Sequence, residues 1–194
     1  MKAFIKTIGI LTSGGDAPGL NAAIRAICIS AKEKYGAKVL GFKNGYRGLI
    51  ENNFVKMSDF DMEALLSMSG TCLGTSREKP FKATEKNAVT GKMPVESIKE
   101  TFKKNKLDVL FCLGGNGTNT TASLLAKEGL PVIGLPKTID NDIYGTEVTF
   151  GFHSAIDVAS EGINQIRPTA KSMSRAMVVE IMGHKVGWLG LYSG

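Results

Sequence analysis

Residues 113–142 read LGGNGTNTTASLLAKEGLPVIGLPKTIDND and hold a whole strand-to-helix-to-strand passage. The apolar run LDVLFCLGG (107–115) reads as a strand buried on both faces, closed by the glycine-rich turn GGNGT (114–118). A helix follows Thr118 and is expected to stop at Gly129, because glycine takes the left-handed conformation of a helix end without penalty. LPVIGL (130–135) is the next strand, and it runs out into two aspartates one residue apart, Asp140 and Asp142.

The same alternation extends on either side. KTIGILT (6–12) is a first strand, followed by SGGDAPG (13–19) and an amphipathic helix from about residue 20 to 34. Its apolar residues Leu20, Ala23, Ile24, Ile27 and Ala31 recur at three- and four-residue spacing. Asp16 and Pro18 are the expected start signals of that helix. KVLGF (38–42) is the second strand, a looser region carries NGYRGL and SGTCLGTSREKPF, and PVESIKETFKKNK (94–106) is a further helix. Beyond the aspartates, a helix from about residue 152 to 166 carries Ala155, Ile156, Ala159, Ile163 and Ile166 on one face, and RAMVVEIMG (175–183) is the last strand. Apolar strands joined by helices predict an α/β fold with a mostly parallel sheet covered on both sides. In such sheets ligands bind beyond the carboxyl ends of the strands. Gly14–Asp16, Gly114–Thr118 and Pro136–Asp142 all fall there.

With 194 residues the chain is long enough for one domain with its own core, or for one domain and part of another. Its 43% hydrophobic and 22% charged content is ordinary for a soluble globular protein. No apolar run is long enough to span a bilayer, and MKAFIKTIGILTSGG breaks into glycines where a signal peptide would place a small-residue cleavage site. A cytoplasmic protein with no membrane partner is expected. The net charge of +6 is not gathered into a stripe, and its densest run, Lys103–Lys106, closes a helix, where cations suit the dipole. Nucleic acid is therefore not an expected partner. Cys28, Cys72 and Cys112 form no CxxC pair and read as reduced, mostly buried thiols.

A strand, a glycine turn and a helix start together present backbone N–H groups and a favourable dipole to an anion. Two such turns at one sheet edge point to a phosphate compound. Neither is a P-loop, because no Lys-Ser or Lys-Thr pair follows the glycines, and GGDAPG lacks the spacing of a dinucleotide fingerprint. Asp140 and Asp142 project to one side if PKTIDND is extended. Two carboxylates beside a phosphate site accept a proton from an attacking hydroxyl or hold a divalent cation; the competing reading is a turn merely rich in Asp and Asn. Lys137 either stabilises phosphoryl charge or is a surface lysine.

GILTSGGDAPGLNAAIRA, GTCLGTSR, GGNGT, GLPKTIDNDIYGTEVTFGFHSA and VVEIMGHKVGWL occur in the order and spacing of the phosphofructokinases, and the chain resembles the N-terminal portion of that family over nearly its whole length. The TIDND and MG motifs are the specific ones. The resemblance implies a three-layer phosphofructokinase-like sandwich, with a donor-binding domain over residues 1–138 and an incomplete sugar-phosphate domain over 139–194. It implies phosphoryl transfer from ATP to the 1-hydroxyl of fructose 6-phosphate, with Mg2+ as cofactor, in a glycolytic homo-oligomer. It places Gly15, Tyr46, Gly115, Asn116, Gly117, Thr118 and Lys137 around the donor, and Arg77 at the phosphoryl group in transit. Asp140 matches the base that takes the proton from the sugar hydroxyl, with Thr138 beside it in the catalytic set. Thr138, Asp140, Asp142, Met182, Gly183 and His184 match the sugar side, and Arg175 matches an arginine that reaches a neighbouring subunit's sugar phosphate. Asn116 and Asp142 are the implied metal ligands.

The chain departs from the family pattern at a few of these positions. Asn116 stands where many members carry an aspartate that helps to hold Mg2+, so a weaker or relocated metal site leaning on Asp142 is expected. Pyrophosphate-using members typically carry an aspartate at the place of Gly117 and a lysine at that of Lys137. A carboxylate at Gly117 would crowd and repel the α-phosphate of ATP, so the glycine favours ATP, while Lys137 keeps pyrophosphate as the alternative donor. His184 replaces an arginine, and a neutral imidazole binds an anionic sugar phosphate less well. Arg25 matches one cation of the bacterial effector site, but Ile29 and Asp59 stand where two others would be. Family chains continue beyond MGHKVGWLGLYSG, so a catalytically silent fragment with exposed apolar faces is expected. A non-catalytic nucleotide-binding module or regulatory subunit is the alternative outside enzymes. NAD and lipid kinases share a Gly-Asp-Gly phosphate turn, but TIDND and the MGH strand argue against them.

Overall fold

Five strands form the sheet, four of them where the alternating pattern predicts strands and β3 in addition: β1 (Thr7–Ser13), β2 (Lys38–Phe42), β3 (Phe54–Lys56), β4 (Val109–Gly114) and β5 (Val132–Pro136), in the order β3-β2-β1-β4-β5. β1 lies parallel to both β2 and β4, and β4 to β5; β3 alone runs antiparallel, against β2. The structure is a computed structural model that describes residues 5–194. Four helices belong to the sheet: α1 (Leu20–Tyr35), α2 (Tyr46–Glu51), α3 (Pro94–Asn105) and α4 (Asn116–Lys127).

Each strand feeds two cores. Ile8, Ile10 and Leu113 pack with Leu20, Ile24, Cys28 and Ala31 of α1 on one face. Leu11, Leu110 and Cys112 pack with Leu49 of α2, Ile98 and Phe102 of α3 and Leu125 of α4 on the other. Neighbours such as Ile10 and Leu11 therefore point to opposite layers, which is why the strands are apolar throughout rather than alternating. Burying one such side chain contributes roughly 1.5–3 kcal/mol.

Local corrections follow from backbone geometry. α1 starts from Gly19, which is left-handed at φ 92°, and no side chain caps it. Asp16 and Pro18 therefore precede the helix without starting it. α4 begins at Asn116, ahead of the expected start beyond Thr118, so the NGT residues form its first turn. Its other end is as expected: Gly129 is left-handed at φ 84° and its N–H donates to the Ala126 carbonyl at 3.0 Å. α2 and β3 stand in the region read only as loose. They are short elements bounded by left-handed Asn44, Gly45 and Asn52, which no periodicity announces.

Residues 137–194 make a second compact unit, distinct from the one that ends at Pro136. It holds the helices α5 (Phe152–Ser172) and α6 (Trp188–Ser193). α5 runs past the expected end near residue 166 and contains Pro168, whose missing N–H leaves the Asn164 carbonyl without its usual donor. Its predicted apolar face is half-buried. Phe152 meets Tyr192 of α6 edge-on at 5.8 Å, and Ser160 Oγ donates to the Ser193 carbonyl at 3.3 Å. RAMVVEIMG is not a strand: no ladder includes it, and Val178 is 98% exposed. Its composition has β-propensity, but a strand forms only where a neighbour accepts its backbone bonds, and this unit holds no sheet.

Candidate active site: two glycine turns and an aspartate turn

In the first unit, β1 and β4 pair so that Ser13 lies opposite Gly114. The two glycine turns thus leave the sheet side by side. A strap running from Thr71 to Ser76 crosses the end of β1 and holds it. Thr12 Oγ1 donates to the Gly74 carbonyl at 2.8 Å, Ser13 Oγ and the Gly14 N–H both reach the Ser76 carbonyl at 3.0 Å, and Thr75 Oγ1 donates to the Gly14 carbonyl. The strap delivers Arg77 to this edge, exposed, while its neighbour Glu78 pairs with Arg47 at 3.2 Å.

The second turn is held from beneath. Thr118 is buried and its Oγ1 donates to the Ser13 carbonyl at 3.2 Å. Tyr46 is 1% exposed, and its hydroxyl donates to the Thr118 carbonyl at 2.9 Å. Burial pushes the Tyr46 phenol well above its ordinary range, with nearby Cys112 adding to the effect. Tyr46 is thus no ligand-facing side chain, contrary to the donor contact that the resemblance implied; it fixes the turn that a ligand would meet. Asn119 Nδ2 donates to the carbonyls of Gly114 and Gly115 at 2.7 and 3.0 Å. Asn116 and Gly117 stand exposed in the first turn of α4, where backbone N–H groups have no intrahelical acceptor.

In the second unit, PKTIDND is not extended. Asn141 is left-handed at φ 52°, so the two carboxylates come together through a turn, not through strand alternation. Asn141 braces that turn: its Oδ1 accepts from the Thr149 N–H at 2.9 Å, and its Nδ2 donates to the Glu147 carbonyl at 3.1 Å. Thr149 Oγ1 donates to the Thr138 carbonyl at 2.6 Å. Thr138 Oγ1 donates to Asp140 Oδ2 at 3.2 Å and accepts from the Asp140 N–H at 3.1 Å. Asp140 Oδ1 is buried and has no hydrogen-bond partner among the described residues. Asp142 Oδ2 lies 2.9 Å from His184 Nδ1, a contact that sequence reading, which set His184 against the sugar phosphate, did not find.

Lys137 is buried at 4% exposure, which removes the surface-lysine alternative. Arg175 and Met182 are exposed, and Gly183 half-buried, in the segment read as a strand. Arg25 is engaged by Glu63 and by the Met62 carbonyl at 3.1 Å, and Ile29 lines an open apolar cavity with Cys28, Met57, Phe60 and Met62. All three cysteines are free, and burial pushes the Cys28 and Cys112 thiols up to about 12, so they are inert near neutrality. No helix among the described residues is long and apolar enough to cross a membrane.

Residues 7–194 match the family model described as Phosphofructokinase. The chain is 56% identical to the ATP-dependent 6-phosphofructokinase of Spirochaeta thermophila, over 97% of this chain and 52% of that one. It resembles the solved Pichia pastoris phosphofructokinase in the T-state at 38% identity and a TM-score of 0.85, over 97% of this chain and 21% of that one. A solved pyrophosphate-dependent phosphofructokinase from Marinobacter aquaeolei is more distant, at 25% identity and a TM-score of 0.81, over 98% of this chain and 49% of that one. The chain spans about half the length of the curated relatives it matches.

Proposed function

Because the chain belongs to the phosphofructokinase family, we propose that it carries the donor turns and the catalytic carboxylate of an ATP-dependent 6-phosphofructokinase, which converts fructose 6-phosphate to fructose 1,6-bisphosphate. The supporting observation is the open ground over Gly15 and Gly117. Both are exposed, neither has a left-handed φ, and a Cβ at either would meet nothing within 4 Å. Neither backbone nor packing therefore requires glycine, and within a helix it costs about 0.5–1 kcal/mol relative to alanine. Room for a ligand is what the two glycines supply. An aspartate at Gly117, as pyrophosphate users carry, would stand in that room.

The chemistry asks for positioning and charge more than for covalent steps. N–H groups in the first turn of α4 bind donor phosphate oxygens, and Arg77 stabilises the phosphoryl group as it moves. Asp140 takes the proton of the sugar 1-hydroxyl, while the Thr138 hydroxyl, bonded to Oδ2, fixes the carboxylate's orientation. Asp142 and the amide oxygen of Asn116 are hard oxygen donors of the kind Mg2+ takes; when bound, that ion neutralises phosphate charge. The donor domain extends over residues 1–138 and the sugar-phosphate domain begins at 139. Exposed Arg175 serves the sugar phosphate of an adjoining subunit in a cytoplasmic homo-oligomer.

A melting scan of the chain with Mg2+ and either ATP or pyrophosphate tests the donor assignment. At ~100 times its Kd, a ligand bound only by the folded state adds ~2.7 kcal/mol. Stabilisation by ATP alone is expected; a shift with pyrophosphate alone would reverse the assignment and give Lys137 the greater weight.

A further inference from the structure

We infer that Asp140, Asp142 and His184 form a chelating site for a borderline divalent ion of the zinc or cobalt class, in preference to Mg2+. Each of the three offers one ligand atom, and these atoms lie within 4.8 Å of one another. His184 Nδ1 and Asp142 Oδ2, 2.9 Å apart, are already at the separation of neighbouring ligands on an ion with bonds of about 2.0–2.2 Å. The second observation is at Asp140. Its Oδ1 is buried without a hydrogen-bond partner, while Oδ2 is taken by Thr138. A carboxylate oxygen left without a donor is costly, and a cation satisfies it.

The donor set sets the choice of ion. Mg2+ takes oxygen ligands and keeps several waters, whereas an imidazole nitrogen suits zinc and cobalt. The arginine that the resemblance implies at position 184 is a permanent cation with no lone pair to give. His184 therefore puts a ligand atom beside Asp142 where an arginine would offer none. The consequence for turnover rests on the proposed reaction: an ion held by Asp140 withdraws the base, so zinc inhibits where Mg2+ supports.

Adding Co2+ to the 194-residue chain in a large excess of Mg2+ should give the visible absorption of an ion ligated by nitrogen and oxygen. His184→Ala should weaken this binding by at least about tenfold, because losing even an outer-shell partner costs about 10–100-fold. Asp140→Asn should weaken it too, and melting curves like the parent's would show that both variants are folded. His184→Asp, which supplies an oxygen donor in place of nitrogen, should move the preference toward Mg2+ and serves if the alanine variant does not fold. A spectrum unchanged by either His184 variant, an intense near-ultraviolet thiolate band from the cysteines, or no band in the presence of Mg2+ would overturn the proposal. If Co2+ binds as stated but Zn2+ does not inhibit transfer in a protein of the family's full length, the metal site stands and the assignment of Asp140 as base falls.

Discussion

The turn after β4 and the aspartate turn are both held by hydrogen bonds, but of different kinds. The turn after β4 presents backbone, and its supports are the buried side chains of Thr118, bonded to the Ser13 carbonyl of β1, and of Tyr46 in α2. The turn carrying Asp140 and Asp142 presents side chains, and its supports are local polar bonds from Asn141, Thr149 and Thr138. Where function lies in backbone, a substitution harms it through stability or crowding. Where it lies in side chains, one substitution removes the chemistry and leaves the fold in place.

Asp140→Ala is the widest test of that contrast. In an active protein of the family's full length it should lower turnover by ~10²–10⁴ while ATP binding and the melting temperature hold; unchanged turnover would remove Asp140 from the base role. Next comes a pair within one turn. A Cβ at Gly114 would fall on Thr118 Oγ1 and within 2.6 Å of the Ser13 carbonyl, so Gly114→Ala should cost about 1–3 kcal/mol of stability. Gly117→Ala should leave the melt unchanged or raise it slightly, yet weaken ATP in the same scan. If both lose stability alike, the open ground over Gly117 is not there. Tyr46→Phe removes one bond to the Thr118 carbonyl, which keeps its helical bond from the Ala122 N–H, and should cost about 1–1.5 kcal/mol by denaturant titration, with ATP affinity falling in step. The smallest effect is expected at Asn141: Asn141→Gly keeps the left-handed backbone and loses only the brace, about 1 kcal/mol, while Asn141→Ala loses both and should be the worse of the two.

The sheet was legible because its central strands β1, β2 and β4 are mostly buried, and runs such as VLFCL admit few other readings. The location of the turns at the carboxyl ends of β1, β4 and β5 was legible for the same reason. Conformations carried by one residue were not. Gly19 starts α1 by its own left-handed φ, so the polar signals before it misled, and left-handed Asn141 brings the carboxylates together where an extended strand was expected. Contacts across long separations left no signal: His184 and Asp142 are 42 positions apart, and Tyr46 reaches Thr118 across 72. RAMVVEIMG shows the converse, a strand composition that its own unit does not pair.

The hydroxyl of Tyr46 also bears on how the first unit opens. By tying the Thr118 carbonyl to a fully buried ring, it makes the start of α4 part of the cooperative core rather than a fraying helix end. Amide protons one turn into α4, such as that of Asn119, which is bonded to the Gly115 carbonyl, should then exchange with solvent only when the whole sheet unfolds. In Tyr46→Phe the same amides should exchange through local opening, well before the strands do.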